Sequence, residues 1–296
     1  MKKIAAVIVT YNRKKLLKEC IERLIDLKEN ALHIYIIDNN STDGTYEFIK
    51  DKIDNKNVYY YNTTKNLGGA GGFNFGMKKI VGLDYDYCWI MDDDTFVQKE
   101  TLSKLLEKAK LIKDDFSFLS SVVLWKNNEL CKMNIPAVSS TAIENYKMIN
   151  KGLLKIDSAS FVSCFVNMKY VKKVGLPITD FFIYGDDYEY TLRLSLENNG
   201  YLVPDSIVEH MMNSNLGINI VDVEYSRIDR LVYNYRNLNY IYKKYNIREY
   251  KMLKIKSVYL IFKILFKSKD HKFKRIKAII IGMHKGRKFN PTIEYK

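Results

Sequence analysis

Apolar positions along the chain come in short runs separated by amphipathic stretches. Residues 4–9 are continuously apolar and close on Thr10, as expected of a strand covered on both faces. Leu16, Leu17, Cys20, Leu24 and Leu27 then recur at helical spacing and predict an amphipathic helix. Residues 33–37 predict a second buried strand ending at Asp38, and residues 39–44 a polar turn able to cap the next helix. Residues 57–61 predict a third strand. The order β-α-β-α-β implies an α/β fold with a mostly parallel sheet and right-handed crossovers.

The next segment, Asn66-Leu67-Gly68-Gly69-Ala70-Gly71-Gly72-Phe73, holds four glycines in five positions. It reads as a tight loop entering a helix over about residues 73–81, with amides available to an anion at the helix start. The apolar run 87–91 is a short strand, and Asp92-Asp93-Asp94 follows it directly. Three adjacent carboxylates repel one another unless a counter-charge is supplied, and a divalent cation with oxygen ligands supplies it. The plainer reading is a solvated acidic turn that caps a helix starting near residue 98. A helix over about 99–113 and a strand over 116–125 come next. Residues 126–156 are polar and weakly patterned, an excursion over the sheet, and residues 159–168 return to the core.

Two later stretches carry chemistry. Gly185-Asp186-Asp187-Tyr188-Glu189-Tyr190 sets two carboxylates between an aromatic cluster and a helix. The helix dipole favours acids there, and the same place suits a general base. His210 ends a strand-like run, as the triple Asp does.

Charge divides the chain. The net +14 is concentrated in residues 225–296, which hold 20 Lys and Arg against 4 Asp and Glu. This marks residues 1–222 as one domain and 223–296 as a basic helical region. Its apolar pieces, 257–267 and 275–282, are fringed with Lys and too short to span a bilayer, and such helices suit an anionic lipid surface. A packed helical subdomain with a solvated basic face is the alternative. Cys20, Cys88, Cys131 and Cys164 form no CxxC pair, which fits free core thiols in a reducing, cytoplasmic setting. The start of the chain has no secretory-signal pattern. A polyanion-binding protein without catalysis is a different class of reading. RNP, KH, zinc-finger and helix-turn-helix signals are absent, and it leaves the carboxylate clusters unexplained, so nucleic acid is not the expected partner.

In order, Val9-Thr10-Tyr11-Asn12-Arg13, Asp38 to Gly44, Asp92-Asp93-Asp94, Gly185 to Tyr190 and His210 resemble the inverting family 2 glycosyltransferases of GT-A fold, over roughly residues 1–240. The Gly-rich segment and the Tyr-rich stretch at 233–237 resemble the galactofuranosyltransferase branch. Rhamnosyltransferases using dTDP-rhamnose are the neighbouring alternative. The resemblance implies that Thr10, Arg13 and Asp38 contact the uridine of a UDP-sugar. Asn66 and Gly69 would line the nucleotide-sugar cleft, with Asp93 close to the ribose or sugar. Asp92, Asp94 and His210 would bind Mn²⁺ or Mg²⁺. Asp187 would be the base that deprotonates the acceptor, and Asp186 would hold acceptor or donor sugar. The basic C-terminal segment, with the resemblance in support, leads us to expect a lipid-linked or cell-surface polysaccharide acceptor, met at the inner face of the cell membrane. One departure is Asn39-Asn40 after Asp38, where many members carry a further acid. The long extra N- and C-terminal domains of polymerising members have no counterpart in these 296 residues, so processive chain extension is not expected.

Overall fold

The computed structural model describes residues 2–217 and 219–295, with Ala142 described only by its place in a helix. Met1, which opens the chain, and Lys296, counted in the basic segment, lie outside the described residues. Packing divides the chain into two units. The first comprises Met1–Thr179, Asp187–Asn215 and Ile293–Lys296; the second comprises Asp180–Asp186 and Leu216–Thr292.

The first unit opens as β1 (Ile4–Thr10), α1 (Lys14–Ile25), β2 (Leu32–Asp38), α2 (Thr45–Ile53), β3 (Val58–Asn62), α3 (Gly68–Ile80) and β4 (Tyr87–Asp92). It continues through β5 (Thr95–Val97), α4 (Thr101–Leu111), β6 (Phe118–Leu124), β7 (Ala137–Val138), α5 (Ala142–Ile149), β8 (Leu154–Ser158), β9 (Cys164–Asn167), α6 (Met168–Val174), α7 (Asp186–Glu197) and β10 (Gly200–His210). The strands form one sheet in the order β3-β2-β1-β4-β9-β6-β10-β8-β7, with β5 pairing β10. β1 runs parallel to β2 and β4, and β10 parallel to β6, while β9 is antiparallel to both β4 and β6. The sheet is therefore mixed, and β1, β2, β4, β6 and β10 all point their carboxyl ends to one edge.

Both faces of the sheet are covered, which explains the unbroken apolar runs. Ile4, Ala6 and Ile8 pack on one face with Leu17, Cys20 and Leu24 of α1 and Leu102 and Leu105 of α4. Ala5, Val7 and Val9 pack on the other with Phe73 and Met77 of α3 and Tyr190 and Leu194 of α7.

The glycine-rich segment corrects the expected loop. Its glycines lie inside α3, which starts at Gly68 and not near residue 73. A Cβ on Gly72 would stand 2.6 Å from Val9 Cγ1, and one on Gly76 2.5 Å from Val7 Cγ1 and 2.8 Å from Ile37 Cγ1. The helix backbone lies so close to the central strands that a side chain does not fit, and this packing outweighs glycine's poor helix propensity of about 1 kcal/mol.

The second unit holds α8 (Tyr225–Ile228), α9 (Leu231–Tyr245), α10 (Ile247–Lys267) and α11 (Lys272–Lys288). Ile228, Leu231, Tyr235, Ile264, Ala278 and Ile279 form its core. Within this unit the Asn237 amide donates to the carbonyls of Phe181, Ile183 and Tyr184, at 3.0, 3.1 and 2.8 Å. That grip holds a stretch in which Phe182, Tyr184 and Gly185 all have positive φ. Such backbone persists only when its surroundings fix it.

Candidate active site

The triple Asp is a break between two strands. β4 ends at Asp92, Asp93 and Asp94 turn, and the chain re-enters the sheet as β5, antiparallel to β10. His210 faces Thr95 in that pairing, and the Met211 amide donates to the Asp94 carbonyl at 2.9 Å. The ladder thus delivers His210 to the acidic turn. Its Nε2 lies 3.1 Å from Asp94 Oδ1. One oxygen from each of Asp92 and Asp94 and one ring nitrogen of His210 all lie within 4.8 Å of one another. Asp94 and His210 are buried, and Asp92 is the half-buried member.

Arg13 and Thr10 complete the cluster from the end of β1. Arg13 Nη1 donates to Asp94 Oδ2 at 2.7 Å and to Asp93 Oδ1 at 3.2 Å, and Thr10 Oγ1 donates to Asp93 Oδ2 at 2.7 Å. Burial pushes the Asp92 carboxyl up to about 7, reinforced by the charge of Asp94. Burial pushes Asp93 up to about 6, with the Arg13 charge pulling the other way. Burial also opposes ionisation of Asp94, but the hydrogen bond and charge of His210, with the charge of Arg13, outweigh it and hold Asp94 below the usual range. Burial disfavours the His210 imidazolium, yet Asp94 dominates and raises it to about 10. Without a cation, Arg13 and His210 are the counter-charges of three acids.

A divalent cation fits this donor set, since two carboxylates and an imidazole converge and one of the carboxylates is partly exposed. Asp92, Asp94 and His210 are the residues that would hold it.

The remaining expected residues lie nearby or apart. Thr10 and Asp38 are register partners, so Asp38 ends the neighbouring strand at the same edge. Its Oδ1 accepts from the Ser41 amide of the following turn at 2.7 Å and its Oδ2 from the Tyr60 hydroxyl of β3, so both oxygens are engaged. Asn39 spans from this turn to α3, donating to the Gly68 carbonyl at 2.9 Å. Asn66 is exposed, and its Oδ1 accepts from the Gly68 amide at 2.8 Å; Gly69 follows, partly exposed, in the first turn of α3. Asp186 is buried at the first position of α7. Asp187 is half-buried, and its Oδ1 accepts from the Tyr188 amide at 2.7 Å. Burial raises the Asp187 carboxyl, and backbone amides pull it back in part. Among the described residues no hydrogen bond or ion pair joins Asp187 to the acidic turn.

The glycosyl transferase family 2 model matches residues 5–175, more than half of the chain and the part that carries the acidic turn. The chain belongs to glycosyl transferase family 2. Galactofuranosyltransferase GlfT1 of Mycolicibacterium smegmatis is 31% identical over 91 residues, 31% of this chain and 30% of that protein. GalNAc(5)-diNAcBac-PP-undecaprenol beta-1,3-glucosyltransferase of Campylobacter jejuni is 29% identical over 111 residues, 37% of this chain and 35% of that protein. The matched stretches thus span about a third of each relative's length. A crystal structure of GalNAc-T7 with UDP, GalNAc and Mn²⁺ superposes with a TM-score of 0.66 at 15% identity, covering 85% of this chain and 49% of that chain. At that identity the likeness shows the fold, which is GT-A.

Two polar residues, Arg193 and Asn134, have partners that the patterns in the chain do not bring out. Arg193 and Glu189, buried on α7, pair at 2.9 Å through Arg193 Nη2, which also donates to the Leu176 carbonyl at 3.1 Å. Their i,i+4 spacing was the available signal. Asn134 lies in the weakly patterned excursion, and its Oδ1 stands 2.9 Å from His210 Nδ1. No local pattern announces it, because its partner is 76 positions away.

Proposed function

We propose that the chain is an inverting glycosyltransferase that moves galactofuranose from UDP-galactofuranose to a hydroxyl of a lipid-linked saccharide. The observation that carries the transferase reading is the convergence of Asp92, Asp94 and His210, with Arg13 beside them, at the carboxyl edge of the sheet. Open α/β sheets take ligands at that edge. The donor rests on the likeness to GlfT1 over 91 residues. The acceptor rests on the C. jejuni relative, whose name specifies a saccharide on undecaprenol diphosphate.

A cation on Asp92, Asp94 and His210, Mn²⁺ or Mg²⁺, would neutralise charge growing on the leaving diphosphate. The imidazole in the set favours Mn²⁺. Thr10, Arg13, Asp38, Asn66, Gly69 and Asp93 would bind the nucleotide-sugar, with Arg13 turning from its carboxylate partners toward phosphate. Asp187 takes the proton of the acceptor hydroxyl as its oxygen attacks the anomeric carbon and the bond to diphosphate breaks. One displacement inverts the configuration. Asp186 holds a sugar.

The test is UDP or dTDP release with Mn²⁺ over UDP-galactofuranose, UDP-galactopyranose, UDP-glucose and dTDP-rhamnose. Turnover confined to UDP-galactofuranose supports the reading. Turnover with dTDP-rhamnose alone keeps the site and replaces the donor. Failure to bind any nucleotide in the presence of metal favours the polyanion-binding alternative.

A separate observation supports a peripheral place at the inner membrane face. No helix among the described residues is long and apolar enough to cross a membrane. On α10, however, Ile255, Tyr259, Phe262 and Phe266 form an exposed stripe opposite the buried Leu253, Ser257 and Ile264. Lys254 flanks one side of it and Lys256, Lys263 and Lys267 the other. An apolar stripe with basic edges matches anionic lipid.

A further inference from the structure

Behind His210 lies a short turn that the proposed reaction does not use. Asn134 ends a short 3-10 turn, Lys132–Asn134. That turn is pinned from several sides. The Cys131 amide donates to the Val123 carbonyl at 3.0 Å. The Lys132 amide donates to Asn215 Oδ1 at 2.8 Å, and Asn215 Nδ2 returns to the Leu130 carbonyl at 3.0 Å. Trp125 Nε1 donates to the Met212 carbonyl at 2.8 Å. The turn is thereby tied both to the end of β6 and to the residues that follow His210.

The Asn134 side chain is itself oriented. Its Nδ2 donates to Ser160 Oγ at 2.8 Å, and its carbonyl oxygen is the end that faces Cys131 and His210. That oxygen accepts from the Cys131 thiol at 2.9 Å and lies 2.9 Å from His210 Nδ1. A carbonyl oxygen has no hydrogen to give, so the hydrogen of this bond sits on His210 Nδ1. The nitrogen left to face Asp94 is Nε2, the ligand atom of the candidate metal site.

We infer that Asn134 is a positioning residue that fixes the tautomer and ring angle of His210, presenting the Nε2 lone pair to a divalent cation. Ser160 sets the amide and Asn134 sets the imidazole. The inference rests on the metal-site reading above. Partners of this kind are worth about 10–100-fold in metal affinity.

The experiment measures Mn²⁺ affinity in the presence of UDP by electron paramagnetic resonance, together with UDP affinity without metal. Asn134→Leu keeps the volume and removes the acceptor. Asn134→Asp keeps an acceptor oxygen, and Ser160→Ala releases the amide. His210→Ala reports on the site itself. The expected result is a loss of at least 10-fold in Mn²⁺ affinity for Asn134→Leu, a smaller loss for Ser160→Ala, and retention within about 3-fold for Asn134→Asp, with metal-free UDP affinity unchanged in all. Mn²⁺ affinity within 2-fold of wild type in Asn134→Leu, with a loss in His210→Ala, overturns the role of Asn134 and leaves the metal site standing. No loss in either variant overturns the metal site. If Asn134→Leu fails to fold, ¹⁵N spectra of the histidine ring in the wild-type Mg²⁺–UDP complex decide. A proton on Nδ1 supports the inference, and a proton on Nε2 overturns it.

Discussion

Met211 donates its amide to the Asp94 carbonyl, and this one backbone bond ties the acidic turn to the end of β10. The two residues are far apart in sequence, yet the imidazole of His210 meets the Asp94 carboxylate because their strands pair through β5. Rigid backbone, and not a flexible side chain, sets the distance between candidate ligands. Substituting His210 by Ala therefore removes a ligand and a counter-charge while the backbone tie between Met211 and Asp94 stays in place. The expected outcome is a loss of Mn²⁺-dependent UDP binding of at least 10-fold, with metal-free UDP binding retained, measured by calorimetry with and without Mn²⁺.

Arg13 competes with a cation for the same charge. Its guanidinium bridges Asp93 and Asp94, and its own side chain is half exposed. Removing it leaves buried acids less compensated, which destabilises the metal-free protein. A bound cation restores the balance, and ligand binding stabilises by about 2.7 kcal/mol at 100 times Kd. Arg13→Met is expected to lower Tm without metal and to show a larger upward Tm shift than wild type on adding Mn²⁺. Equal shifts in the two proteins would remove Arg13 from the charge balance.

Asp187 gives a pH prediction with a definite sign. Burial raises its carboxyl above the ordinary value, so ionisation costs stability in the folded state. Its stabilising contribution is complete below the unfolded value of about 3.9 and is lost as pH rises through the higher folded value. Asp187→Asn should therefore melt above wild type at pH 7.5, with the difference shrinking toward pH 4. The same variant should lose about 10²–10⁴-fold in transfer rate while keeping Mn²⁺–UDP binding, as loss of a general base implies. In the wild type, the acid limb of kcat should fall at a higher pH than for an exposed carboxylate. A variant that melts lower at pH 7.5, or that retains transfer, contradicts this.

Gly76 sets two opposing terms against each other. Alanine gains about 1 kcal/mol in helix propensity over glycine. Against this, its Cβ would press on Val7 and Ile37, both fully buried β-branched residues in central strands. Overpacking of a tight core costs about 1–3 kcal/mol. The clash should win, so Gly76→Ala should lower Tm and Gly76→Val should lower it further, both read by thermal melting. A rise in Tm with Ala would mean that α3 can lift from the sheet.

Much of this arrangement is legible in the chain itself. β1, β2 and β4 announce themselves as continuous apolar runs, because strands covered on both faces need no alternation. The acidic turn is visible from composition, since three adjacent carboxylates demand a reason. β5 is not visible: it has three residues, too few to show a period. The start of α3 is misread because Gly68, Gly69, Gly71 and Gly72 carry loop propensity, and the close packing of Gly72 on Val9 and of Gly76 on Val7 and Ile37 leaves no periodic trace in the chain. Asn134 is silent for a third reason. Its role comes wholly from residues 76 positions later and 26 positions later, His210 and Ser160, and long-range polar pairs leave no periodic trace.

The stripe on α10 separates two sources of surface binding. Its apolar residues contribute by insertion, and each basic residue near an anionic surface by about 1 kcal/mol. Phe266 is 83% exposed, so replacing it disturbs little of the fold. The double variant Phe262→Glu, Phe266→Glu should keep Tm within a few degrees of wild type and lose at least 10-fold in binding to vesicles rich in phosphatidylglycerol, measured by co-sedimentation. Replacing Lys256, Lys263 and Lys267 by Gln should weaken the same binding and flatten its dependence on salt, because screening acts on the charge component alone. Neutral phosphatidylcholine vesicles should bind weakly in every case. If the Glu variant binds anionic vesicles as wild type does, insertion plays no part and the stripe needs another partner. If the wild type binds no vesicle at low salt, the membrane reading falls, while the metal site and the Asp187 predictions are untouched.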